Sequence, residues 1–242
     1  MKLDLSDRVI LYTGAGGTIG KAASIALANS GSKLILIDIQ EEALTQLQAE
    51  IRAQVPSCEV ELFISPLEPD VDFVQRMVDA VLQRFGRIDG LVNCAYPRTA
   101  DWGADFFDIP LESWQENVHN HLGGYMVYCQ VVGKHMMQAG FGSIVNFGSI
   151  YGILGPDFSI YKGVGKMTMP AAYAAIKGGV SNFSRYLASY LGPHGVRVNT
   201  ISPGGVKTDQ DPRFIQNYAQ RVPLGRMAET DDVVGPILFL LS

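Results

Sequence analysis

Tyr173 and Lys177 stand four residues apart in the run AAYAAIKGG. In a helix, such positions share one face a turn apart, so a phenol and an ammonium would project into the same space. A tyrosine hydroxyl ordinarily titrates near ~10 and is a poor base at neutral pH. An adjacent cation favours the phenolate and would lower that pKa, making the hydroxyl usable as a general acid or base. On a solvated helix the same pair would do nothing, so its meaning depends on what surrounds it.

A second cluster suits a phosphate-bearing ligand. The apolar run Val9–Thr13 leads into T-G-A-G-G-T-I-G, with Gly14, Gly17 and Gly20 spaced where strand turns into helix. Glycine permits a tight bend and close ligand approach. A helix opening at Thr18 and Ile19 would direct unpaired N–H groups and its positive dipole end at a pyrophosphate. The next apolar run ends in Asp38, 18 positions beyond Gly20, where a carboxylate can accept hydrogen bonds from an adenosine ribose. A 2′-phosphate there would be repelled, and neither Ile39, Gln40 nor the glycine loop brings a cation to hold it. NAD is therefore the expected cofactor. A helix cap for the following segment is the competing use of Asp38.

These residues need a frame. Val9–Thr13, Lys33–Asp38, Val60–Ile64, Leu91–Asn93, Ser143–Phe147 and Val196–Ile201 read as buried strands. Helical periodicity is expected over Ile19–Ser30, Glu41–Gln54, Val71–Phe85, Leu111–Gln138 and Ala171–Leu191. The alternation implies an α/β fold, a doubly wound parallel sheet of Rossmann type with helices on both faces, in a single domain over 1–242. Ligands of such sheets bind beyond the carboxyl ends of the strands. The polar clusters at 13–20, 93–98, 148–152 and 202–208 would all gather there.

Composition narrows the class. With 242 residues, 47% hydrophobic and 18% charged, the chain can build a substantial core. A net charge of −5 argues against nucleic acid as a partner. Cys58, Cys94 and Cys129 lack paired spacing and read as free thiols in a reducing, cytoplasmic setting. His119, His121, His135 and His194 form no metal motif, so no metal is expected. No apolar run is long enough to suggest a membrane span.

Thr13-Gly14…Gly20, Asp38, Asn93–Ala95, Asn120, Ser149, Tyr173-x-x-x-Lys177, Arg197-Val198-Asn199 and Pro203-Gly204…Thr208 occur in the order found in short-chain dehydrogenase/reductases, and the chain resembles that family from end to end. Ala95–Arg98 and the long stretch before Tyr173 resemble oxidoreductases of flagellin modification and surface-polysaccharide biosynthesis. The resemblance implies hydride transfer between NAD(H) and a carbinol or carbonyl carbon of a small-molecule substrate. It makes Tyr173 the proton donor or acceptor. Lys177 would hold the nicotinamide ribose and tune the tyrosine, and Ser149 would hydrogen-bond the substrate oxygen. Asn120 would position a water beside Lys177. Asn93 and Ala95 would support the cofactor site, with Pro203, Gly204, Val206 and Thr208 flanking the nicotinamide. It also implies a homodimer or homotetramer formed through the two long helices. An epimerase or dehydratase that retains its NAD, or a non-catalytic NAD(H)-binding sensor, are the alternatives.

The chain departs from the family pattern at several places. Thr18 stands where glycine is common, and Ser65 where an aspartate commonly receives the adenine. Tyr96 replaces a glycine and offers an aromatic surface to a substrate ring. Arg98 offers a cation to a phosphate or carboxylate. Ser149 and Tyr173 lie 24 positions apart, roughly double the usual separation. The extra residues, within 151–170, read as a loop covering the substrate site. Tyr161 has Lys162 and Lys166 after it but no lysine four positions on, so it is rejected as the catalytic tyrosine. The apolar stretch GPILFLLS at the end would need a cover, which suggests a further C-terminal strand. A sugar or sugar nucleotide is the suggested substrate class.

Overall fold

The computed structural model describes residues 3–165 and 168–242. Six parallel strands form one sheet: β1 (Val9–Thr13), β2 (Lys33–Asp38), β3 (Val60–Ile64), β4 (Gly90–Asn93), β5 (Gly142–Phe147) and β6 (Val196–Ile201). Their order is β3-β2-β1-β4-β5-β6. Every expected strand is present, β4 and β5 beginning one residue earlier than expected.

Side chains alternate across each strand, so successive residues serve opposite faces. Leu11, Ile35, Ile37 and Leu91 pack in one core with helices α3 (Val71–Phe85), α5 (Gly124–Ala139) and α6 (Ala171–Leu191). Ile10, Tyr12, Leu34, Leu36 and Val92 pack in the other with α1 (Thr18–Asn29), α2 (Glu41–Gln54) and α8 (Thr230–Leu241). Burial on both faces explains why the strands read as continuous apolar runs. In α3, Val74, Met77, Val78 and Val81 face the core at helical spacing. Asp70 caps its start by accepting from the Phe73 N–H at 2.9 Å, and Gly86 ends it in the left-handed conformation.

The expected long helix over Leu111–Gln138 is broken in two. An α-helix, α4 (Leu111–Asn117), passes through a π-turn at Val118–Gly123 before α5 begins. Such a turn inserts an extra residue and rotates everything on it relative to an ideal helix. Helix α7 (Pro212–Ala219) was not anticipated, because eight residues opening with proline carry little periodic signal. The terminal apolar helix is covered on one face and leaves Phe239 exposed on the other. Val233, Ile237 and Leu241 of α8 are buried against α1 and the sheet, while Arg197 donates to the Leu240 and Ser242 carbonyls at its end. On that side β6 is the outermost strand.

Strand order reverses between β1 and β4, and Thr13 lies level with Asn93 where it does. The crevice beyond those two residues is the ligand position of a doubly wound sheet. Gly20 keeps the first turn tight, since a Cβ there would sit 2.1 Å from the Gly14 carbonyl oxygen. Gly20→Ala is expected to lower unfolding stability by about 1–3 kcal/mol. Thermal unfolding checks this, and an unchanged midpoint contradicts it.

Candidate active site

The carboxyl edge gathers most of the anticipated residues. Gly14 has a φ of +75°, and a Cβ there would lie 2.6 Å from the Ala95 backbone. Only glycine suits that position. No side chain caps α1 and no acidic residue occupies its first turn, so the N–H groups at Thr18 and Ile19 remain available to an anion. Asp38 closes the cradle, its Oδ2 accepting from the Gly16 N–H at 2.9 Å and its Oδ1 from the Gln40 N–H at 3.0 Å. It is not the cap of α2, whose N-cap residue is Gln40. A carboxylate that shapes a bare glycine turn fits a dinucleotide. Ser65 donates to its neighbour's Pro66 carbonyl at 3.1 Å.

Beneath the crevice, polar groups hold the strands in place. The Thr13 hydroxyl accepts from the Cys94 and Ala95 N–H groups at 3.2 and 3.3 Å. Asn93 is fully buried and donates to Asn146 on β5 at 2.9 Å, while Asn146 donates to Ser184 on α6, also at 2.9 Å. This buried chain ties β4, β5 and α6 together, so Asn93 supports the site from below.

Ser149 leaves the end of β5 and is almost entirely buried. Its hydroxyl accepts from the Tyr151 N–H at 3.2 Å, and it is near enough to Tyr173 to favour that residue's phenolate. Tyr173 and Lys177 do share one face of α6, with the Lys177 ammonium 5.6 Å from the Tyr173 ring centre. Tyr173 is half-buried and reachable. Its electrostatics differ from expectation. Burial raises the phenol above its ordinary pKa, and the nearby Ser149 hydroxyl offsets this only in part. Burial also brings Lys177 down to about 8. The shift expected from the ammonium is therefore not the one found: loss of solvent around the phenol sets the direction.

Asn120 was expected to position a water beside Lys177, and its own side chain is not a direct partner of that lysine. The side chain against Lys177 is His121, whose Nε2 lies 3.2 Å from the Lys177 Nζ. Lys177 also donates to the Phe147 carbonyl at 2.7 Å. Asn120 is partly exposed and makes no side-chain hydrogen bond among the described residues. His121 reaches Lys177 from within the π-turn. Asn117, one turn earlier, binds Thr99 through both its amide groups and fixes the loop after β4.

That loop builds an aromatic wall. The Tyr96 ring meets Tyr173 edge-on at 5.5 Å, and Trp102 stands 6.3 Å from Tyr173. The Trp102 indole donates to the Tyr96 hydroxyl at 2.8 Å. Trp102 was not singled out from the sequence; only its aromatic type near Tyr96 hinted at it. Arg98 stacks over Tyr96 at 5.9 Å instead of reaching inward.

On the opposite side, the Pro203 carbonyl accepts from the Ile150 N–H at 3.1 Å. Gly204 lies against the Tyr218 hydroxyl, which accepts from the Gly205 N–H at 2.6 Å. Val206 bridges to Ala228, and the exposed Thr208 has its N–H on the Gln210 side chain. Tyr218 comes from the unanticipated α7. The inserted segment rests on the same helix. Ile160 and Val164 pack with Phe214 and Tyr218, and Asn217 donates to the Ile160 and Lys162 carbonyls. Tyr161 packs on Phe214, consistent with its rejection as the catalytic tyrosine; Lys166 lies outside the described residues. A cleft of about 510 Å³ opens between this segment and Phe106–Asp108, reaching Ala171 and Ala174 on either side of the Tyr173 turn.

Residues 14–242 match the family model described as enoyl-(acyl carrier protein) reductase, a model of short-chain dehydrogenase/reductases. The chain belongs to the short-chain dehydrogenase/reductase family. It is 34% identical over 99% of its length to a probable galactose dehydrogenase of Rhizobium meliloti, covering 90% of that protein. It is 29% identical over 98% of its length to the post-translational flagellin modification protein A of Campylobacter coli, covering 92% of it. An NAD+-bound xylitol dehydrogenase structure superposes with a TM-score of 0.85 at 28% identity, covering 98% of this chain and 93% of that one. Short-chain dehydrogenase/reductases bind nicotinamide cofactors and are oxidoreductases acting on CH–OH groups. No helix among the described residues is long and apolar enough to cross a membrane.

Lys177 makes stability depend on pH. Its folded pKa of about 8 lies below the ordinary lysine value. Between those two values the unfolded chain binds a proton that the folded chain has released, so stability rises with pH across that window. Lys177→Met removes this dependence. Its stability advantage over the parent is expected to shrink by about 2 kcal/mol between about pH 7.5 and about pH 9.5. Urea unfolding at both pH values measures it, and a constant difference contradicts the buried charge.

Proposed function

We propose that this protein is an NAD(H)-dependent dehydrogenase or reductase of a polyhydroxylated small molecule, a sugar, sugar alcohol or sugar nucleotide. The observation that carries the reading is the half-buried Tyr173 with the Lys177 charge on the same face of α6, 5.6 Å from its ring centre, beside Ser149 at the carboxyl edge of the sheet. When bound, the cofactor supplies the hydride acceptor or donor at its nicotinamide ring. Gly14, Gly17, Thr18, Ile19 and Gly20 hold its pyrophosphate, Asp38 its adenosine ribose, and Lys177 the nicotinamide ribose. Pro203, Gly204, Val206 and Thr208 border the nicotinamide.

Alcohol oxidation requires the hydroxyl proton to leave the substrate. Tyr173 Oη accepts it as general base, and returns it in the reductive direction. Ser149 Oγ hydrogen-bonds the same substrate oxygen and fixes its distance from Tyr173. The Lys177 charge stabilises negative charge on the phenolate or the alkoxide, and does so strongly because little water reaches it. Tyr96 and Trp102 offer ring edges and faces to the C–H groups of a sugar or polyol.

The sugar-directed part of the reading draws on this wall and on the relatives named as galactose dehydrogenase and xylitol dehydrogenase. The relative named for flagellin modification agrees with the resemblance to that subgroup. NAD over NADP rests on the Asp38 carboxylate. The three unpaired cysteines support a reducing, cytoplasmic setting. Exposed Tyr186 and Tyr190, stacked on the outer face of α6, support a homodimer or homotetramer through that helix.

NADH formation should be followed at 340 nm with xylitol, D-galactose and UDP-sugars as trial alcohols. Tyr173→Phe is expected to lower turnover by roughly 10²–10⁴-fold while NAD still binds. Retained activity removes the assignment of Tyr173, and inactivity of the parent on every sugar removes the substrate class. NAD+ should be preferred to NADP+ by a factor on the order of a hundred, lost in Asp38→Ala. Equal use of both cofactors by the parent contradicts the role given to Asp38.

A further inference from the structure

His121 is fully buried where the π-turn presses against α6. Its Nε2 meets the Lys177 ammonium at 3.2 Å, and its Nδ1 has no hydrogen-bond partner among the described residues. The ring is walled by two aromatic neighbours, Tyr96 at 5.5 Å and Tyr125 at 5.2 Å. A histidine present only to fill space is a poor account of this arrangement. An orphaned buried polar atom destabilises the fold, a cost that a leucine or methionine of similar bulk would avoid.

We propose that His121 is the positioning residue of Lys177: neutral, with its proton on Nδ1, it accepts a hydrogen bond at Nε2 from the ammonium and holds that charge beside Tyr173. The tautomer follows from the donor inventory. An ammonium has three donors and no acceptor, so the imidazole nitrogen facing it must be the unprotonated one. The Phe147 carbonyl takes a second Lys177 donor at 2.7 Å. Two fixed acceptors from different elements leave one donor free, and its direction is set by the other two. A lysine on a four-carbon stem has no such orientation of its own.

The electrostatics agree with this division of charge. Burial and the Lys177 charge together push the His121 pKa far below the ordinary histidine value. Lys177 therefore carries the single positive charge of the pair at neutral pH. The titratable groups facing the pair are Tyr96 from the loop after β4, Tyr125 from α5, Tyr173 from α6, and Cys94, whose thiol burial raises to about 11. The phenols and the thiol are neutral at neutral pH, so none competes for the ammonium.

Two substrate-free measurements test this on the intact protein. With 15N-labelled histidine, the His121 signal is assigned by its absence in His121→Gln. It should show a proton on Nδ1, a bare Nε2, and no titration from about pH 5.5 to about pH 8. A proton on Nε2, or a midpoint near ~6.5, overturns the proposal. The second measurement follows the Lys177 side-chain carbon beside its ammonium as pH is raised. His121→Leu should lower the Lys177 midpoint by about one pH unit, and His121→Gln, whose side-chain oxygen can accept, should restore it. An unmoved midpoint in His121→Leu contradicts the proposal, because a merely structural histidine would leave it in place. The consequence for turnover rests on the dehydrogenase reading, but neither spectrum does. If both spectra behave as stated while no alcohol reduces NAD, the hydrogen bond stands and only the functional reading fails.

Discussion

A single positive charge, taken almost wholly out of water at the carboxyl edge of a parallel sheet, is the constraint on which the site depends. Lys177 is 4% exposed, and burial has already moved its pKa down to about 8. An isolated ammonium would not stay charged in such surroundings. It is retained by the Phe147 carbonyl at the end of β5 and by His121 from the π-turn. Both partners belong to the rigid frame, so the charge is fixed by the fold and not by its own flexible stem.

The rest of the architecture can be understood as what keeps that charge in register with a cofactor. The Asn93–Asn146–Ser184 chain links β4, β5 and α6, so the helix carrying Tyr173 and Lys177 cannot slide against the strands. Thr13 gathers the Cys94 and Ala95 amides beside the glycine turn. The phosphate cradle and the proton-transfer group are consequently referred to the same strand ends. Burial that makes the lysine costly also strengthens its field, since there is little solvent to screen it. The same burial raises the Tyr173 pKa, so this pair is not simply a phenol lowered by a neighbouring ammonium.

Much of this was legible in the chain. Four central strands buried on both faces, with partly buried β3 and β6 at the edges, leave apolar runs that periodicity can find, and a glycine turn followed by Asp38 has few other physical uses. Spacing put Tyr173 and Lys177 on one helix face correctly. Spacing did not announce the π-turn at Val118–Gly123, from which His121, and not the Asn120 named by resemblance, sets its side chain against Lys177. No helical template contains such a turn, although two adjacent glycines, Gly123 and Gly124, mark the place where the helix packs closely. Tyr218 and Trp102 were missed for a different reason. Each acts by a tertiary contact from a segment with no motif of its own. The direction of the Tyr173 shift was misjudged because spacing reveals a neighbour but not how much water remains around it.

The site can work as described only if the lysine and the tyrosine address the same bound dinucleotide. A crystal structure of the protein soaked with NAD tests this most directly. The Lys177 Nζ should lie within hydrogen-bond reach, about 2.7–3.2 Å, of a nicotinamide ribose hydroxyl. The nicotinamide ring should lie between Tyr173 and the 203–208 loop. A dinucleotide whose nicotinamide half lies elsewhere, with Lys177 still turned only toward Phe147 and His121, would contradict it.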